Sequence, residues 1–113
     1  MNPREGRSFR QQDLFGGRGE VIVRDLLEGA SCPPFDAALA CELEPGGFVG
    51  RHRQADCPEL VLILEGEGKA TVGEALHVLS PGKTLYLPLG EVLSLENTSN
   101  AVALRYLIVK SRQ

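Results

Sequence analysis

The chain reads as an all-β domain, with short strands closed into a jelly roll or small barrel, and three observations predict it. Apolar and polar residues alternate with a period of two, most clearly from Phe35 onward: Phe35, Ala37, Leu39, Cys41 and Leu43 take one face, and Asp36, Ala38, Ala40, Glu42 and Glu44 take the other. Thirteen glycines and seven prolines in 113 residues fall between the apolar runs, the punctuation of strands joined by tight turns. Gly73-Glu74, between Val72 and Ala75, forms a two-residue hairpin loop with glycine where a type II′ turn requires it.

Taken in order, residues 1–13 are polar and charged and predict a loose arm, with a short strand near Ser8–Arg10 that frays or pairs with a neighbouring subunit. Residues 14–113 form one domain, the usual size for a single core. Leu14 and Phe15 are its first apolar anchors. Gly16-Gly17-Arg18-Gly19 is a turn: it lacks the Gly-Lys-Ser/Thr ending of a phosphate loop, and no helical pattern follows. Glu20–Glu28 is a strand, ended by Gly29–Pro34, where Pro33-Pro34 bars ladder pairing. The alanine-rich segment from Asp36 has helical composition, but its alternation and proline brackets favour a strand. Gly66–Val72 and Ala75–Leu79 make a hairpin in which His77, sharing parity with Ala75 and Leu79, reads as a solvated strand residue. Lys83–Leu87, Val92–Glu96 and Ala101–Lys110 complete eight or nine strands. An immunoglobulin-like sandwich is the weaker alternative, since it would want a buried Trp and the chain has none.

Composition narrows the function classes. A net charge of -3, with arginines scattered among acids, gives no footprint for nucleic acid. No segment approaches the ~20 apolar residues of a membrane span, and the polar N-terminus lacks the apolar core of a signal peptide. Cys32, Cys41 and Cys57 are odd in number and never spaced as C-x-x-C, which argues against a structural zinc site or a disulfide framework. Reduced thiols in a cytoplasmic protein are the expectation. Cys41 reads as a buried inert thiol and Cys57 as a small loop filler.

The organising stretch is Gly46–Gly66. His52 and Gln54, two apart on a strand, share a face, and after a turn at Ala55–Pro58 the carboxylate of Glu59 is expected back beside them. The segment resembles the first motif of the cupin superfamily, in its small single-domain, cupin 2 conserved-barrel form. Gly46, five residues, His52, one residue, Gln54, four residues, Glu59, six residues and Gly66 keep that spacing throughout. The second motif follows in register: Gly82, five residues, Pro88, Leu89, Gly90, two residues, Leu93, three residues and Asn97. The motifs span residues 46–66 and 82–97. The resemblance implies a double-stranded β-helix, the jelly-roll barrel of cupins, with three histidines and a glutamate turned inward to hold a metal. His52 and Glu59 match that set; Gln54 and Leu93 replace two of its histidines.

The site expected is therefore a pocket lined by His52, Gln54, Glu59, Leu93 and Tyr86. Under one reading His52, Gln54 and Glu59 hold a divalent Fe, Mn, Ni or Zn ion weakly, because an amide is a poor neutral donor and Leu93 donates nothing. Under the other the pocket is metal-free, His52 and Glu59 share a hydrogen bond, and a small organic ligand occupies an apolar cavity. The leading function is a small-molecule-binding cupin of unassigned activity. A metal-dependent dioxygenase or isomerase is the alternative, and a sensory or regulatory module the second. Leu60, Leu62 and Leu64 form an apolar face that needs cover, so a homodimer is expected. The phases of Tyr106, Arg105 and His77 stay open.

Overall fold

The computed structural model describes residues 2–112; positions 1 and 113, the outermost of the expected arm and barrel domain, lie outside the described residues. Ten strands form two antiparallel sheets packed face to face. They are β1 (Ser8–Gln12), β2 (Glu20–Asp25), β3 (Phe35–Leu43), β4 (Phe48–Arg53), β5 (Glu59–Glu65), β6 (Gly68–Val72), β7 (Ala75–Leu79), β8 (Thr84–Leu87), β9 (Val92–Asn97) and β10 (Leu104–Ser111). One sheet has the order β1-β2-β3-β10-β5-β8 and the other β4-β9-β6-β7. Non-consecutive neighbours in both sheets make this the expected jelly roll. Among the described residues the one helical element is a single 3-10 turn, Leu14–Gly16.

The core lies between the sheets and follows from alternation. Val21 and Val23 of β2, Cys41 and Leu43 of β3, Val61 and Ile63 of β5, and Leu104 and Tyr106 of β10 all turn inward and are buried. Leu43, Leu79, Leu87 and Leu104 are wholly enclosed, and burying a side chain of that size is worth ~1.5–3 kcal/mol. The expected apolar face of β3 holds from Leu39 to Leu43 but fails at Phe35. There the β3–β10 register slips between Lys110 and Ser111, so Phe35 pairs with Ser111 and stays exposed. A bulge reverses which way a side chain points.

Asn97 locks the end of the barrel opposite the long β3 strand's start. It is 1% exposed, and its amide donates to the carbonyls of Leu43, Glu44 and Val102 at 3.1, 3.1 and 2.9 Å, while its oxygen accepts from the Ser99 backbone at 3.0 Å. One side chain thus satisfies carbonyls from two separate turns that would otherwise be buried without donors.

The segment ahead of Leu14 is not a loose arm. Ser8–Gln12 pairs along its length with β2. Upstream of it, Pro3 is buried and Arg4 reaches Glu42 at 2.7 Å. The other oxygen of Glu42 takes Arg105 at 3.0 Å, which fixes the phase of that arginine on the outer surface of the six-stranded sheet. A buried carboxylate flanked by two guanidiniums is the reason both arginines point there. His77 shares the inward side with Leu79 and is half-buried rather than freely solvated.

Candidate functional site: an apolar barrel cavity

The site is built around an irregularity in β4. Val49 pairs with Leu95 and His52 with Leu93, so the register shifts between them and both Val49 and His52 face the interior. Within the shift, Arg51 turns out to solvent and Gly50 is buried. The His52 Nδ1–H donates to the Gly50 carbonyl at 2.9 Å. That bond fixes the tautomer of the neutral ring and leaves Nε2 as an acceptor. Phe15 closes over the imidazole, with ring centroids 3.9 Å apart and planes within 12°.

Backbone constraints hold Phe15 there. Asp13 and Phe15 both adopt left-handed conformations, with φ of 53° and 55°. This is strained for a bulky residue and survives only where neighbours over-determine it. The strand beneath supplies the room: a Cβ at Gly50 would overlap the Phe15 carbonyl oxygen, so the Leu14–Gly17 segment reaches His52 only because position 50 is glycine. Asp13 secures the turn by accepting from the Gly19 amide at 2.9 Å.

Behind Phe15 and His52 lies a cavity of about 230 Å³. Both sheets wall it with apolar side chains, among them Val23, Val61, Leu93 and Ile108; Gln11, His52, Tyr106 and Lys110 bring the polar groups apart from the Cys41 thiol. Tyr106 is 4% exposed, yet its hydroxyl makes no hydrogen bond among the described residues. Burial pushes its pKa well above the ordinary value, with Cys41 and Glu59 adding to the shift. Burial likewise pushes the Cys41 thiol up to about 12. Both groups are therefore neutral at physiological pH, and Cys41 is the inert thiol expected of it.

Glu59 is not on the sheet that carries His52 and does not line the cavity. It enters on β5, in the facing sheet, directly opposite Lys110 of β10. The carboxylate is buried and the Lys110 ammonium stands 3.8 Å away. Burial raises the Glu59 pKa, and the Lys110 charge opposes that rise. The expected His52–Glu59 hydrogen bond is replaced by two separate pairings, His52 with Gly50 and Glu59 with Lys110. Gln54 lies just past the end of β4, where its backbone clamps the following turn: Gln54 N donates to the Glu91 carbonyl at 2.8 Å, and Gly90 N donates to the Gln54 carbonyl at 2.7 Å. Its side chain is buried, does not line the cavity, and carries an Nε2 donor without a partner. Leu93 does line the cavity, as the cross-strand neighbour of His52. Tyr86 does not. It is 63% exposed on the outer surface, because β8 turns Leu85 and Leu87 inward and its alternate residues outward.

These residues fit a resident metal poorly. Among the described residues no three His, Cys, Asp or Glu side chains converge as ligands. Gln54 lies outside the cavity lining, Leu93 presents only carbon, and the Glu59 charge is already answered by Lys110. Sequence reasoning missed Lys110 and Phe15 as cavity residues and left Tyr106 open; all three line the cavity. Lys110 shares parity with Leu104, Tyr106 and Ile108, but the alternate face of β10 carries Leu107 and Val109 and looks equally apolar, so the pattern alone left the phase open.

The family model for the cupin domain matches residues 39–110, and the chain belongs to that family. Among solved structures it is similar to a predicted oxalate decarboxylase from Thermotoga maritima, at 29% identity and a TM-score of 0.88, covering 99% of this chain and 97% of that one. It is also similar to a cupin-2 domain protein from Rhodospirillum rubrum (21% identity, TM-score 0.78, covering 94% and 70%) and to a sugar phosphate isomerase of the cupin superfamily from Silicibacter pomeroyi (20%, 0.69, covering 82% and 60%). These last two share the fold. No curated protein matches.

The imidazole makes a pH prediction. Burial lowers the His52 pKa below its ordinary 6.5; the Gly50 carbonyl opposes the shift and the Lys110 charge adds to it. Below 6.5 the unfolded chain then binds more protons at this position than the folded one, so stability falls with pH until the folded pKa is passed. Between about pH 7 and about pH 5, urea denaturation should show a smaller loss of stability for His52→Gln than for the unaltered chain. Equal slopes for the two proteins would count against a neutral, desolvated His52.

Proposed function

We propose that this cupin binds a small uncomplicated organic molecule inside its barrel and holds no resident metal. One observation carries the reading: where the family's ligand set would gather a cation, this chain places a Glu59–Lys110 ion pair on one sheet and Leu93 beside His52 on the other. An ammonium does the charge balancing that a metal otherwise supplies to a buried carboxylate. What remains is a largely apolar cavity with a few fixed polar groups, the usual character of a small-ligand site. A decarboxylase, dioxygenase or isomerase that works through a divalent ion would instead need His52, Gln54 and Glu59 to converge. Protein purified without chelator should carry well under one equivalent of Fe, Mn, Ni or Zn by elemental analysis, and should show no saturable uptake in calorimetric titrations with those ions. Near-stoichiometric metal that His52→Ala abolishes would overturn the proposal.

We also infer that the chain works as a homodimer. The outer surface of the six-stranded sheet exposes Phe35, Leu60 and Tyr86, at 48%, 51% and 63%, around a depression that Val109 also borders. Knob and hollow belong to one patch, which suits the self-complementary contact of a two-fold dimer. Leu62 and Leu64 extend the same face beside it. Light scattering should give the dimer mass for the unaltered chain and the monomer mass for Leu60→Glu, with unchanged circular dichroism. A monomer across the whole concentration series would remove the inference.

A further inference from the structure

Resting on the reading that the cavity takes a small organic molecule, we propose that its ligand is an uncharged single-ring aromatic carrying one hydroxyl group, held between Tyr106 and His52. Three features of the cavity define that class.

Charge comes first. Among the groups that line the cavity only Lys110 is a cation, and its ammonium is committed to Glu59 at 3.8 Å. A carboxylate or phosphate entering this space would leave an excess negative charge among Val23, Val61, Leu93 and Ile108, which is strongly unfavourable. A cationic ligand would find no free carboxylate. The occupant is neutral.

Hydrogen bonding comes second. With Nδ1 donating to Gly50, the His52 Nε2 is an acceptor, and it has no partner among the described residues. The Tyr106 hydroxyl likewise has none. One acceptor and one group able to donate, lining the same cavity, are together satisfied by a ligand hydroxyl, which donates to Nε2 and accepts from Tyr106. An apolar ligand of the same shape leaves both unpaired.

Size and shape come third. At about 230 Å³ the cavity is smaller than the ~300–1,000 Å³ of drug-sized pockets, so it holds one ring rather than two. Its mouth is formed by the stacked Phe15 and His52 rings, and Tyr106 and Phe9 also line it. Flat faces of this kind favour an aromatic guest, through offset or edge contacts. Phe15, half-exposed and in a left-handed conformation, borders the cavity on its solvent side.

The test uses four probes on the unaltered full chain: phenol, toluene, benzoate and oxalate, followed by ligand-observed NMR and calorimetry. Phenol should bind most tightly, with benzoate weaker by about tenfold or more and oxalate showing no binding. Tyr106→Phe should weaken phenol by about two- to tenfold, the worth of one hydrogen bond, and leave toluene unchanged. Benzoate or oxalate binding more tightly than phenol would overturn the ligand class while leaving the pocket in place. So would phenol and toluene binding equally to the unaltered chain, a comparison that does not depend on any variant folding. If none of the four binds, the pocket reading fails together with the class.

Discussion

A carboxylate buried inside a barrel must be answered by a positive charge, and in this chain that constraint is met from within. Glu59 sits on β5 with its side chain closed off from solvent, and its register partner on β10 is Lys110, 3.8 Å away. Pairing in register matters, because cross-strand partners on one face hold their side chains together without extra ordering of either backbone. The lysine's aliphatic stem lines the cavity while its ammonium balances the acid, so the same residue makes the cavity wall and removes its net charge. The proposed metal-free lumen and its proposed uncharged guest both rest on this pairing.

The second sheet solves a different problem, that of presenting one polar side chain to an apolar space in a fixed state. The register shift in β4 turns His52 inward, the Gly50 carbonyl selects its tautomer, and Phe15 covers its face. The last of these depends on position 50 having no side chain, since the strained Phe15 backbone passes over it in contact. The strain at Asp13 and Phe15 is concentrated at the mouth of the cavity and not in the core. Strained conformations of this kind gather at ligand clamps. The sheet opposite, with Leu43, Leu87 and Leu104 fully enclosed, supplies the packed backing behind that mouth.

Much of the architecture was legible in the residues. The β6–β7 hairpin closes at Gly73-Glu74 as the turn chemistry requires, with Gly73 at φ 60°, and His52 and Leu93, drawn from the two motifs, are cross-strand neighbours. The role of Asn97 was not legible, because two of its three carbonyl partners, Leu43 and Glu44, lie more than fifty residues away in sequence. Alternation failed where bulges intervene: Phe35 moved to the outer surface, and β4 gained an inward residue out of phase. The return of Glu59 to the facing sheet was also beyond reach, since Ala55–Pro58 reads as a tight turn but in fact carries the chain across the barrel. Lys110 is the most instructive omission. Motif reasoning searched for donors to a metal, and a lysine is not among the usual ones; its pairing with Glu59 emerges only in three dimensions.

The most direct test of this account is a double-mutant cycle between Glu59 and Lys110, read by urea denaturation at neutral pH. Lys110→Met should cost ~1–2 kcal/mol, less than the full penalty for breaking a buried pair because the lysine is one-third exposed. Glu59→Gln added to that background should recover most of the loss, since no buried charge then remains unanswered. Strictly additive effects, with Lys110→Met harmless on its own, would contradict the claim that the lysine stands in for the cation, and would return the site to its metal-binding reading.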